Sequence, residues 1–150
     1  MDKALEHEIN AYLITIFNEI IMIEENALQG STFKDISIKE MHTIEAIGMD
    51  RINTTSEVAK KLAITAGTLT VSVNNLVKKG YVERIRSEKD RRVVKLGLTN
   101  KGRLLYRVHD KFHRNMVNET ITGMQEKEAE TLIKGLRNLH SFLDEIKNNL

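Results

Sequence analysis

Residues 65–80 read TAGTLTVSVNNLVKKG, and residues 81–102 continue YVERIRSEKDRRVVKLGLTNKG. In the first stretch Leu69, Val73 and Leu76 recur at helical spacing. On a wheel of about 100° per residue they form one apolar stripe, while Gly67, Val71, Asn74 and Lys78 gather on the opposite side. Thr65 stands where a helix cap is expected, and Gly80 where a helix should stop. Beyond Gly80 the period changes to two. Residues 81–86 and 93–98 read as short strands, the second placing Val94, Leu96 and Leu98 on one face. Between them lies a polar, basic turn, Ser87-Glu88-Lys89-Asp90-Arg91-Arg92. Just upstream, Thr54 and Glu57 have the capping-box spacing of a short helix buried through Val58, Ala59 and Leu62. Ala63 and Ile64 then make a tight connection. Helix, tight turn, helix and a hairpin with a charged tip predict a winged helix-turn-helix, whose second helix is shaped for a major groove.

Long helices frame this central unit. Ile9, Tyr12, Leu13, Ile16, Phe17, Ile20, Ile23 and Ala27 place a broad apolar face on a helix over about residues 5–28, ending before Gly30. Ser37 with Glu40 caps a helix running to Gly48 through Ile38, Met41, Ile44 and Ile47. Thr99 opens a long helix through Leu105, Val108, Phe112, Met116 and Ile121, and Gly123 divides it from a last helix starting near Gln125. There Leu132, Leu136, Leu139, Leu143, Ile146 and Leu150 keep heptad spacing. The small centre cannot cover these apolar stripes, which predicts a homodimer joined through both termini. The expected fold is mainly α with a small β-hairpin wing, a single domain over 1–150. Residues 1–36 and 104–150 form its helical dimerisation region, and 37–103 its winged helix-turn-helix.

Charge is distributed unevenly along the chain. The net charge is +2, yet residues 1–50 carry −7, residues 51–107 carry +10 and residues 108–150 carry −1. A basic middle on an acidic or neutral scaffold is the electrostatic footprint of a polyanion-binding element. With Cys 0, disulfides, thiolate nucleophiles and Cys-based metal centres are excluded. No apolar run reaches the ~18 residues of a spanning helix, and the charged start does not resemble a secretory signal, so a cytoplasmic protein is expected. There is no phosphate-binding glycine loop, no G-x-S-x-G, no H-E-x-x-H and no paired acid and base. The reading is therefore not an enzyme, with no cofactor.

Candidate double-stranded DNA contacts follow from the wheel and the turn. Val71, Asn74 and Lys78 occupy the outer face of the second helix, flanked by Thr65, Thr68, Thr70 and Asn75. Asn amides can pair with adenine, Val and Thr methyls can meet the thymine methyl, and Lys serves phosphate. This face has no Arg or Glu, which points to an A·T-leaning site. On the turn, Lys89, Asp90, Arg91 and Arg92 offer an Arg to a narrow minor groove, with Asp90 as its orienting partner or as a simple turn former.

These same residues carry a resemblance. The segments 65–86 and 90–102, with Asp90-x-Arg92 on the wing and Thr99-x-x-Gly102 opening the next helix, resemble the MarR family of dimeric winged-helix regulators over nearly the whole chain. The resemblance implies a helical dimer interface and a minor-groove role for Arg92, and the absence of Cys removes thiol-oxidation sensing. A narrower likeness, to that family's repressors of fatty-acid biosynthesis genes, rests on FKDISIKEMHTIEAIG (33–48), SEKDRRVVKLGLTNKGRLLYR (87–107) and HDKFHRNMV (109–117). It implies a palindromic A·T-rich operator and long-chain acyl-acyl carrier protein as corepressor. Leu13, Phe17, Ile20, Met22, Leu105, Val108 and Phe112 offer apolar surface for an acyl chain, or serve as core and dimer interface. Arg103, Arg107, Lys111 and Arg114 form a basic stripe suited to an acidic carrier protein, to DNA steering or to solubility. His109 and His113 stand at i, i+4, a spacing that can chelate metal. Zinc sensing occurs in the wider family, but without a third ligand evident in sequence the pair reads as helix surface or interface. The rival expectations are a regulator released from DNA by a small aromatic ligand, a zinc-responsive regulator, and a module that binds protein rather than DNA.

Overall fold

The computed structural model describes residues 1–50 and 53–150, so Arg51, the first cation of the basic segment, lies outside them. No helix among the described residues is long and apolar enough to cross a membrane. The chain divides into two compact units, Met1–Val108 and His109–Leu150.

The first unit opens with α1 (Lys3–Gln29), whose first turn is capped by Asp2 accepting from the Ala4 amide at 2.9 Å. After Gly30 the chain turns through Ser31, whose hydroxyl donates to Leu28 O at 2.8 Å and accepts from Phe33 N at 3.0 Å. This turn delivers Phe33 and Ile36 to the core. The expected capping box closes α2 (Ile38–Ile47): Ser37 Oγ accepts from Glu40 N, and Glu40 Oε2 accepts from Ser37 N. Gly48 ends α2 at φ 68, a left-handed position that favours glycine. Next come β1 (Asn53–Thr54), α3 (Thr55–Leu62), α4 (Ala66–Lys78), β2 (Val82–Arg86) and β3 (Val94–Leu98), followed by α5 (Asn100–Ile121), which continues into the second unit. Thr54 and Glu57 form the second box, at the start of α3. Ala63 makes the tight α3–α4 connection by adopting the left-handed conformation, φ 53, usually left to glycine.

The sheet is three-stranded and antiparallel, in the order β1-β3-β2. The hairpin is as expected, with each strand starting one residue later than its apolar run. The third strand is an addition: Asn53 and Thr54 pair with Leu96 and Lys95. Two residues carry no readable period, so β1 has no signature in the sequence. Leu69, Val73 and Leu76 of α4, Ile44 and Ile47 of α2, Val58 of α3, and Leu96 and Leu98 of β3 make one core with Tyr81 and Leu105. Burial of each such aliphatic side chain is worth about 1.5–3 kcal/mol.

The second unit holds the rest of α5, a turn at Gly123 (φ 81) and α6 (Glu126–Asn148). Glu128 accepts from the Gln125 amide at 2.7 Å and so caps α6. No residue of α6 is buried; Leu136, Leu143 and Ile146 are exposed, and Leu132 and Leu139 are half-buried.

Candidate nucleic-acid interface

The buried stripe of α4 fixes its rotation, so the opposite face is presented outward. Gly67, Val71, Asn74 and Lys78 are exposed there, with Thr68, Thr70 and Asn75 beside them. Val71 is 62% exposed, an isopropyl group in solvent on a helix that buries Leu69, Val73 and Leu76. The N-terminus is organised by Thr65, whose hydroxyl accepts from Thr68 N at 3.2 Å and lies 2.8 Å from Thr68 Oγ1. Thr70, itself exposed, donates through Oγ1 to Ala66 O at 2.8 Å. One partner was not anticipated: Arg84 Nη2 of β2 donates to Asn74 Oδ1. Its only trace in the sequence is the two-residue period that puts Val82, Arg84 and Arg86 on one face of β2.

At the hairpin tip, Arg92 donates twice through its guanidinium to Asp90, Nε to Oδ1 at 3.2 Å and Nη2 to Oδ2 at 3.4 Å. The Arg92 amide donates to the same Oδ1 at 3.0 Å. That amide, then the guanidinium, holds the Asp90 carboxyl below the usual carboxylate range. Arg92 is nevertheless 91% exposed, so its direction is set while its charge stays available. Lys89 and Arg91 are exposed on the same turn.

Behind α4 a polar clamp joins three segments. Lys79, the C-cap of α4, pairs with Glu40 of α2 at 2.9 Å and donates to the Asp35 carbonyl. Tyr81 OH donates to Asp35 Oδ1 at 2.7 Å, and Lys101 at the start of α5 sits 4.3 Å above the Tyr81 ring. Burial, then the Asp35 carboxylate, pushes the Tyr81 hydroxyl up, and the Tyr81 O–H pulls Asp35 down. Thr99 completes the join: its hydroxyl donates to Gly80 O at 2.6 Å and accepts from Gly102 N at 3.2 Å. The C-terminal end of α4 is thus tied to both α2 and α5.

The other candidate residues are placed as follows. On α1, Leu13, Phe17 and Met22 are exposed and Ile20 is half-buried; a groove of about 350 Å³ along α1 includes Leu13 with Leu5, Ile9, Tyr12 and Ile16. On α5, Leu105 belongs to the core, Val108 is exposed and Phe112 is half-buried. Of the basic stripe, Arg103 is half-buried, Arg107 and Lys111 are exposed, and Arg114 pairs with Asp110 at 2.9 Å. His109 is buried, and its Nε2 lies 2.9 Å from that of His113, a hydrogen bond with one ring as donor.

Comparison with known proteins agrees with this geometry. The MarR family model matches residues 35–93, which hold α2, the helix-turn-helix and the wing turn. The HTH-type transcriptional regulator BilQ of Clostridium symbiosum is 30% identical over 131 residues, 86% of this chain and 88% of that protein. SarZ of Staphylococcus aureus is 30% identical over 107 residues, 71% of each. Among solved structures, Streptococcus pneumoniae FabT in complex with DNA has a TM-score of 0.84 at 55% identity, covering 94% of this chain and 99% of that one. The S. aureus MepR–DNA complex, at 24% identity and a TM-score of 0.68 over 87% and 96%, shares the fold. The outward α4, the wing beside it and these relatives together place the chain in the MarR family of DNA-binding transcriptional regulators.

Proposed function

We propose that this chain is a FabT-like repressor of fatty-acid biosynthesis genes that binds an A·T-rich palindromic operator as a homodimer. The observation that carries the reading is the 55% identity, over 94% of the chain, to a FabT that was crystallised on DNA. In this reading α4 of each subunit enters one of two successive major grooves about 34 Å apart. Val71 and the methyls of Thr68 and Thr70 meet thymine methyls, Asn74 and Asn75 reach base edges, and Thr65 and Lys78 serve the backbone. The wing lays Arg92, aimed by Asp90, into the flanking minor groove, with Lys89 and Arg91 on phosphates. The exposed apolar faces of α1 and α6 supply the dimer contact.

Long-chain acyl-acyl carrier protein is the proposed corepressor. The exposed Leu13, Phe17 and Met22 of α1 offer surface to the acyl chain, and the cations of α5 face an acidic carrier. Such a ligand strengthens repression only by favouring the arrangement of reading heads that fits the operator, and operator DNA then tightens acyl-carrier binding by the same factor. The test is fluorescence anisotropy on an A·T-rich palindrome from a fatty-acid-synthesis promoter, at fixed salt. Acylated carrier protein should tighten binding, and the unacylated carrier should not. Binding that ignores both carriers removes the assigned effector; release by a small aromatic compound reverses the sign of regulation; and no sequence-selective binding removes the operator reading.

A further inference from the structure

We infer that Arg84 is a specificity-positioning residue: by donating to Asn74 Oδ1 it fixes which end of the Asn74 carboxamide faces the DNA bases. The inference rests on the proposed placement of α4 in the major groove. A carboxamide presents an acceptor at one end and two donors at the other, and an unrestrained Asn reads adenine by using both at once. Arg84 removes that freedom. A guanidinium has five donors and no acceptor, so Nη2 accepts no hydrogen bond from an amide NH2 and only one orientation of Asn74 satisfies the contact. With Oδ1 engaged by Arg84, the Nδ2 donors of the exposed Asn74 are left for a base.

The strand explains how Arg84 reaches this position. Val82 is buried and pairs with Leu98, and Arg84, two residues on, pairs with Leu96, so the same face of β2 that packs toward the core carries Arg84 past its edge to α4. Asn74 is neutral, so the bond leaves the charge of Arg84 available to a phosphate, and one side chain can hold the reading amide and anchor the backbone beside it. Asn74 so held meets a single base acceptor, thymine O4, guanine O6 or N7, or adenine N7, in place of the bidentate adenine contact that needs Oδ1 and Nδ2 together. Thymine is the choice consistent with Val71 next to it.

The test is selection from a duplex library randomised over about 20 base pairs, two half-sites of one turn each, followed by measured affinities for all four bases at each position. Wild type, Asn74→Ala, Arg84→Met, Arg84→Lys and the Asn74→Ala/Arg84→Met double variant are compared. Asn74→Ala should reduce discrimination at one base pair per half-site by about 5- to 150-fold, the range of one good base contact. Arg84→Met should free Oδ1 and raise the relative affinity for adenine at that same base pair by restoring the bidentate contact, Arg84→Lys should keep much of the wild-type preference, and the double variant should discriminate no worse there than Asn74→Ala. If Arg84→Met lowers affinity uniformly and leaves every base preference intact, Arg84 is a phosphate contact and the inference is overturned. If Asn74→Ala itself alters no base preference, the placement of α4 fails, and the inference fails with it.

Discussion

Arg92 illustrates how a solvent-exposed ion pair acquires a purpose that stability does not supply. A pair this exposed contributes little to folding, yet three donors from Arg92 converge on Asp90 and fix a side chain that would otherwise sample many rotamers. In the proposed minor-groove placement, ordering it before binding lowers the entropy lost on contact. Arg92→Ala is therefore expected to weaken operator binding by roughly 1–3 kcal/mol and to reduce the slope of log affinity against log salt by about one, with unfolding unchanged. Anisotropy titrations at several salt concentrations check both numbers. Asp90→Asn separates aim from charge. It removes a negative group, so non-specific DNA binding should rise, whereas discrimination between the operator and bulk DNA should fall. Because the carboxyl of Asp90 is held below its ordinary value, the pair is complete at neutral pH and is lost only as pH falls through that lowered value.

At the scale of elements, the decisive contact is the one between the end of α4 and the start of α5. A Cβ on Gly102 would lie 2.1 Å from Tyr81 O and 3.1 Å from Tyr81 C, backbone atoms that cannot step aside. Gly102→Ala should therefore destabilise by about 1–3 kcal/mol or more, read as a lower urea midpoint at unchanged m. The Asp35–Tyr81 bond gives the same junction a pH signature. Asp35 has a lowered folded-state pKa, so its contribution is present above the unfolded value near pH 4 and is lost as pH falls through the folded one. The stability difference between wild type and Asp35→Asn should be constant from about pH 7 to 5 and shrink below about pH 4, as urea midpoints measured across that range will register. Neither contact was legible in the sequence. The helices were, because caps and apolar periods are local: Ser37 with Glu40, Thr54 with Glu57, and the Leu69, Val73 and Leu76 stripe each specify structure within a turn or two. Asn74 with Arg84, Tyr81 with Asp35, and β1 with β3 join residues distant along the chain or too few to show a period. Only the folded backbone brings them together.

For the whole molecule, the apolar side chains that remain exposed argue for a second copy. α6 buries none of its residues, although Leu132, Leu136, Leu139, Leu143 and Ile146 recur at heptad spacing, and α1 exposes Leu5, Ile9, Leu13, Ile16 and Phe17. Charge favours the same assembly. The basic segment lies between an acidic one and a near-neutral one, so the proposed dimer, joined through the termini, would offer two cationic heads to DNA. Two heads on one frame bind far more tightly than one, since the second contact becomes intramolecular. Leu136→Asp combined with Leu143→Asp should therefore give a monomer by sedimentation equilibrium. Its operator affinity should fall by about 10²- to 10⁴-fold, the range lost with the second head, while its affinity for an isolated half-site stays at the wild-type value. A variant that is monomeric yet still binds the full palindrome at wild-type affinity would show that one reading head suffices. One that remains dimeric would remove α6 from the interface and leave the exposed face of α1 to carry it.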